Sequence, residues 1–157
     1  MVTTAKGTTQ ELYRRLFAVL TGDAELTAML GGDVNRPRVY QSWVDIDTSE
    51  DFKEAYWLTY LASANVIAEV DQTQDVREIT LDVHVWGRED AASTPIEHIS
   101  ARVRELLDNH PEALTNETFW CNTIYCIADT KTFDLQPKLW HIVNSFRVLG
   151  FAADPSA

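Results

Sequence analysis

Cysteine, glycine and basic residues are all scarce in this sequence, and each shortage removes a class of function. The only cysteines, Cys121 and Cys126, share one β-like run. An extended chain holds such a pair far apart and on opposite faces, so they read as reduced thiols of a protein made in the cytosol. Among the 6 glycines the only adjacent pair, Gly31-Gly32, follows a helical segment instead of opening one, so the P-loop and dinucleotide patterns both fail. No nucleophile-elbow sequence occurs. Lys and Arg number 13 against 24 Asp and Glu, giving a formal net charge of −11 and a pI near 4.6. Such a surface repels phosphates, which excludes a groove that grips DNA or RNA but not a surface that DNA slides past. No apolar run approaches transmembrane length. The start, "MVTTAKGTTQELYRR", lacks the apolar core of a secretory signal.

What is present is an ordinary globular composition, 45% hydrophobic and 24% charged over 157 residues. That length suits one domain with one core, taken as residues 1–157 with loose ends at 1–7 and 152–157. Thr8 and Glu11 have capping-box spacing, and Leu12, Leu16, Phe17 and Leu20 recur at helical intervals, predicting a helix over 9–21. Asp23 is placed to cap a second short helix, "AELTAML", which Gly31-Gly32 stops. "RVYQSWV" predicts a first strand, "AYWLTYLASA" (55–64) a second, and "NVIAEVDQTQDVR" a connection to the third. In the third strand Ile79, Leu81, Val83 and Val85 face one way while Thr80, Asp82, His84 and Trp86 face the other. Thr94, Pro95 and Glu97 then open an amphipathic helix over 95–108, with Ile96, Ile99, Val103, Leu106 and Leu107 on one stripe. Strands at 118–129 and 138–151 finish the chain. The order α-α-β-β-β-α-β-β predicts an α+β fold: a mostly antiparallel sheet of about four to five strands with two main helices on one face.

Candidate chemistry is sparse. His84 and His141 sit on strands that can be neighbours, and Asp82 shares a face with His84, so these three form the candidate metal set. Half-exposed polar strand positions account for them equally well. Cys121 beside a histidine would be a thiol nucleophile, or else a small residue filling a sheet position. Glu97, next to His98, is engaged in the helix cap. No catalytic, cofactor-binding or metal residue is assigned, and no enzyme activity or cofactor is expected. Two other groups stand out. Asp45, Asp47, Glu50, Asp51 and Glu54 crowd one loop, either as a solvated segment or as an acidic lining past which DNA moves unheld. Trp57, Trp86, Trp120 and Trp140 come from separate strands, more large aromatics than one small core needs, and are candidates for contact with another subunit.

The succession "DAELTAMLGG", "RVYQSWV", "AYWLTYL", "ITLDVHVWGREDAASTPIEHISARVRELLDN" and "HIVNSFRVLGF" resembles the tail terminator (tail-completion, tail-to-head joining) proteins of long-tailed bacteriophages, over roughly residues 9 to 150. The resemblance rests on element order and local wording, and the acidic loop at 45–54 departs from the plainest versions of the pattern. It implies a structural virion protein without reaction or cofactor. Such proteins form a ring, usually a hexamer, on the head-proximal end of the tail tube after assembly in the host cytoplasm. The ring ends tube polymerisation and offers the surface for head–tail joining. The implied partners are further copies of the chain, the tail tube protein and a head-completion or neck protein, with DNA passing through unbound and no membrane involved. The alternatives are a head-completion or neck connector subunit and, from another class, a small cytosolic ligand-binding or metal-dependent domain.

Overall fold

A computed structural model describes residues 8–33, 35, 37–41, 55–71, 74–88, 94–135 and 138–152, with backbone alone at 8, 64–71, 74–77, 94, 134–135, 138 and 151–152. The elements run α1 (Thr8–Gly22), α2 (Ala24–Leu30), β1 (Val39–Gln41), β2 (Tyr56–Asp71), β3 (Gln74–Arg88), α3 (Thr94–Leu107), α4 (Pro111–Leu114), β4 (Phe119–Leu135) and β5 (Lys138–Ala152). They build the expected α+β domain around one five-stranded sheet of order β1-β2-β3-β5-β4.

Local chemistry sets the helix boundaries. The Asp23 carboxylate accepts the Leu26 N–H at 2.9 Å, satisfying a donor at the start of α2, and Gly31 ends that helix at φ 71°, a left-handed conformation glycine adopts without strain. Arg38 also sits at positive φ, and its guanidinium donates to the Leu30 carbonyl at 2.7 Å, taking up an end carbonyl of α2. Asp23 has a second function: Arg102 of α3 donates to both its carboxylate oxygens, at 3.0 and 2.8 Å. That guanidinium holds the Asp23 carboxyl below the ordinary carboxylate range and ties α2 to α3.

All four helices pack on one face of the sheet. Leu12, Leu16 and Leu20 of α1, Leu26 and Leu30 of α2, Ile96, Ile99 and Val103 of α3, and Leu114 of α4 form one buried cluster with Ile79, Leu81, Val83, Val85, Phe146 and Val148. The third strand's alternation thus points its aliphatic set inward as predicted. One buried polar contact crosses this core: Ser100 Oγ donates to Asn144 Oδ1 at 2.9 Å.

Four features differ from the sequence reading. β1 pairs with β2 in parallel, Val39 opposite Leu58, because the long connection between Gln41 and Tyr56 leaves room for the chain to cross back. The segment expected to connect the second and third strands is instead the far end of a long β2–β3 hairpin, paired out to Asp71↔Gln74. Pro111, which looked like a stop, opens the single turn of α4. Finally, Cys121 and Cys126 turn toward the same core, because a register shift between Cys121 and Thr123 resets the alternation of β4. Both remain free thiols.

Candidate functional site

The helix-free face of the sheet gathers the polar residues and aromatics that the alternation set apart. Register aligns Trp57, Trp86 and His141 across β2, β3 and β5, with His84 and Thr59 one step along. Their rings are nearly parallel: Trp57 and Trp86 have centroids 6.2 Å apart at 9°, and Trp86 and His141 3.8 Å apart at 4°. His84 Nδ1 and His141 Nε2 lie 2.7 Å apart, so one ring donates and the other accepts. Trp86 Nε1 donates to Thr59 Oγ1 at 2.9 Å. Trp57 and Trp86 retain 1% and 4% of their exposure, a second, smaller apolar cluster with Leu139. Burial pushes the His84 pKa below the ordinary imidazole value, with the Asp82 charge opposing.

This geometry does not make a metal centre. Asp82 Oδ1 accepts from Ser145 Oγ at 2.6 Å, while the two histidines are bonded to each other. Among the described residues no group of three or more His, Cys, Asp and Glu is arranged to hold an ion. Nor is Cys121 an activated nucleophile: burial, with a smaller contribution from the Glu112 charge, pushes its thiol up to about 12, and its Sγ lies 3.4 Å from the Thr123 carbonyl. Glu97 pairs with Lys131 of β4 at 2.7 Å, an exposed strap between helix and sheet. An open groove between α1 and β1, lined by Tyr13, Arg14, Phe17 and Gln41 among others, brings no carboxylate or imidazole to its wall.

The four candidate tryptophans fall in different environments. Trp57 and Trp86 are buried as above and Trp140 is half-buried against the main core, whereas Trp120 keeps 50% of its surface exposed. Trp120 shares the edge strand β4 with the exposed Tyr125 and Ile127. Asp45, Asp47, Glu50, Asp51 and Glu54 all lie outside the described residues.

The feature that sequence reasoning missed is how the sheet's edges are treated. The first half of β4 is sealed by the segment after α3. The Asn109 N–H reaches the Ile124 carbonyl at 2.9 Å, and Asp108 Oδ1 accepts the Cys126 N–H at 2.7 Å. Thr115 Oγ1 accepts the Cys121 N–H at 3.0 Å, and the Asn116 N–H reaches the Phe119 carbonyl at 2.9 Å. On the opposite side, where β1 ends, the Tyr13 hydroxyl accepts the Ala62 N–H at 2.7 Å and lies 3.3 Å from the Ala62 carbonyl. Asp108, Asn109, Thr115 and Asn116 look like ordinary turn residues in sequence, so nothing local marked them as edge seals.

A protein with this sheet, no converging catalytic groups among the described residues and exposed aromatics on an edge strand has the makings of an assembly component. The family model for "Tail completion protein gp17" matches residues 14–149. The chain belongs to that family. It is therefore a bacteriophage tail-completion protein, a structural component of the virion tail, as the resemblance implied. Among solved structures it is similar to a chain of the "Virion of native gene transfer agent (GTA) particle", at a TM-score of 0.63 and 15% identity over 96% of this chain and 99% of that one. At that identity the likeness is one of fold. A search of curated proteins gives no match.

Proposed function

We propose that this tail-completion protein forms a closed ring, six copies in number, on the head-proximal end of the tail tube. The ring ends tube polymerisation and presents the surface to which the head joins. The observation that carries this reading is the family match across residues 14–149, which spans almost every element of the domain. The physical properties of the chain support it. A ring is a closed set of heterologous contacts, so each subunit needs two unlike adhesive surfaces. The exposed Trp120, Tyr125 and Ile127 of β4 offer one, and Phe17 of α1 is exposed on a different element. The net charge of −11 suits a conduit that DNA traverses without being held, and Asp45, Asp47, Glu50, Asp51 and Glu54 are the proposed lumen lining. The tail tube protein and a head-completion or neck protein are the proposed partners, with no enzymatic step.

Tails assembled without this protein test the reading directly. Overlong tubes that regain normal length when purified protein is added during assembly, with annuli visible in electron micrographs, are the expected result. Tubes of normal length that still fail to join heads would instead assign the protein to the neck side.

A further inference from the structure

We infer that subunits join by edge-to-edge strand pairing, the open half of β4 in one copy accepting the far part of β2 from the next. This rests on the ring reading above and names the contact that closes it.

Sheet edges carry rows of unpaired N–H and C=O groups, and folded proteins usually cover or blunt them. This chain covers parts of two edges and leaves two parts open. On β4, the Asp108–Asn116 segment meets the backbone at Phe119, Cys121, Ile124 and Cys126, and its seal ends there. From Ala128 onward β4 pairs only with β5 among the described residues, and Ala128, Asp129, Thr130, Lys131 and Thr132 are all exposed. On the other side of the sheet β1 covers β2 at Leu58, Thr59 and Tyr60, and Tyr13 covers Ala62. From Ala64 to Asp71, β2 has β3 as its only strand partner among the described residues. This end of the hairpin also outruns the sheet, since β5 accompanies β3 no further than Arg77↔Gly150.

Direction and position match. Successive antiparallel pairings make β2 and β5 run one way and β3 and β4 the other. When two copies lie side by side with the same face inward, the β2 of one runs antiparallel to the β4 of its neighbour. The open stretches lie at opposite edges and opposite ends of the sheet, Ala64–Asp71 beyond the Arg77↔Gly150 pair and Ala128–Leu135 beside Leu139. Pairing them therefore staggers each copy along the strand direction relative to the last. A stagger of one sign is what a sheet of tilted strands needs in order to close on itself. Because the donor and acceptor edges differ, the contact is heterologous and propagates into a ring rather than stopping at a dimer. The occupant is thus a second copy of this chain, which carries a free edge of the right direction on the right side.

Two edge-blocked forms test this. In the first, residues 66–77 are replaced by Asn-Gly, a two-residue hairpin turn between the paired Asn65 and Glu78. In the second, β4 carries Thr130→Pro or Lys131→Pro. Successive strand amides point to opposite edges, so one of these prolines spares the β5 ladder and its melting curve identifies which. Each blocked form alone should remain monomeric, and an equimolar mixture should give a single heterodimer through the one good junction left. Hydrogen exchange on the unaltered protein gives a reading independent of any variant. Amides in 64–71 and 128–135 should slow by roughly tenfold or more on assembly. Rings that form with both blocks in place, or with unchanged exchange at these edges, overturn the strand junction while leaving the ring intact. A wild-type chain that stays monomeric even on tail tubes overturns the ring itself, and the junction with it.

Discussion

The two faces of this sheet share the same strands yet are held by different forces. On the helix-covered face Ile79, Leu81, Val83 and Val85 meet aliphatic residues from all four helices, and burial of apolar surface dominates. On the helix-free face Trp57, Trp86, His84, His141 and Thr59 are aligned by register and joined by stacking and hydrogen bonds. Apolar packing is non-directional and survives changes in pH. A stacked, hydrogen-bonded row depends on geometry and on protonation, so the second face should be the one that responds to conditions. The sharpest break on the covered face is Phe146→Ala, which empties a fully buried site and should cost about 3–5 kcal/mol. Urea unfolding of the monomer measures it, and a loss under 1 kcal/mol would mean that the core collapses around the gap.

Polar contacts on the two faces come next in size. Thr59→Val removes the acceptor of the buried Trp86 N–H, and Ser100→Ala removes the donor to the buried Asn144. Each should cost about 1–3 kcal/mol, the penalty for leaving a buried polar group unpaired. The faces should part company in the rescue. Asn144 Nδ2 already lacks a partner, so Ser100→Ala combined with Asn144→Leu should regain most of the loss. If the double variant is as weak as the single, Asn144 contributes something that this buried contact does not capture.

How far these faces could be read from sequence follows the range of the interactions that build them. The covered face was legible because strand alternation and helix stripes are local: Ile79 to Val85 and Ile96 to Leu107 announce their own burial. Asp23 and Gly31 were equally plain as the ends of α2. His84, His141 and Asp82 were correctly picked out as sharing a region, but their stacking and pairing depend on the register of β3 against β5, which no local pattern encodes. The continuation of β2 past Ala64 was lost because "NVIAEVDQTQDVR" has neither clean alternation nor a Gly or Pro to mark a turn. The bulge in β4 reversed the facing of Cys126 for a similar reason: one inserted residue flips everything after it.

A smaller effect isolates the histidine pair. The His84 pKa is lowered in the fold, so between that value and the unfolded value near 6.5 the unfolded chain binds more protons than the native one. Its contribution is therefore complete above about pH 6.5 and is lost as the pH falls through that window. A second proton on the pair also breaks the 2.7 Å bond, since both facing nitrogens would then be donors. Stability measured from pH 7.5 down to 5 should slope less in His84→Gln than in wild type. Equal slopes would show that other groups carry the acid response.

The smallest expected change in fold stability, and the most telling about assembly, is Trp120→Ser. Trp120 sits between the buried Phe119 and Cys121 on β4, so alternation turns it to the helix-free face, where half its surface is open. An exposed ring contributes little to its own domain, and the monomer should lose no more than about 0.5 kcal/mol. A large aromatic at the centre of a subunit contact, however, can carry 2 kcal/mol or more of association. Sedimentation or light scattering of wild-type and Trp120→Ser protein at matched concentrations separates the two effects. If melting is unchanged while the assembled species moves to roughly thirtyfold higher concentration, about 2 kcal/mol, the helix-free face meets a neighbour at this end of the sheet. If both melting and assembly are unchanged, contact between subunits is confined to the open strand edges, and Trp120 stays free for a partner outside the ring.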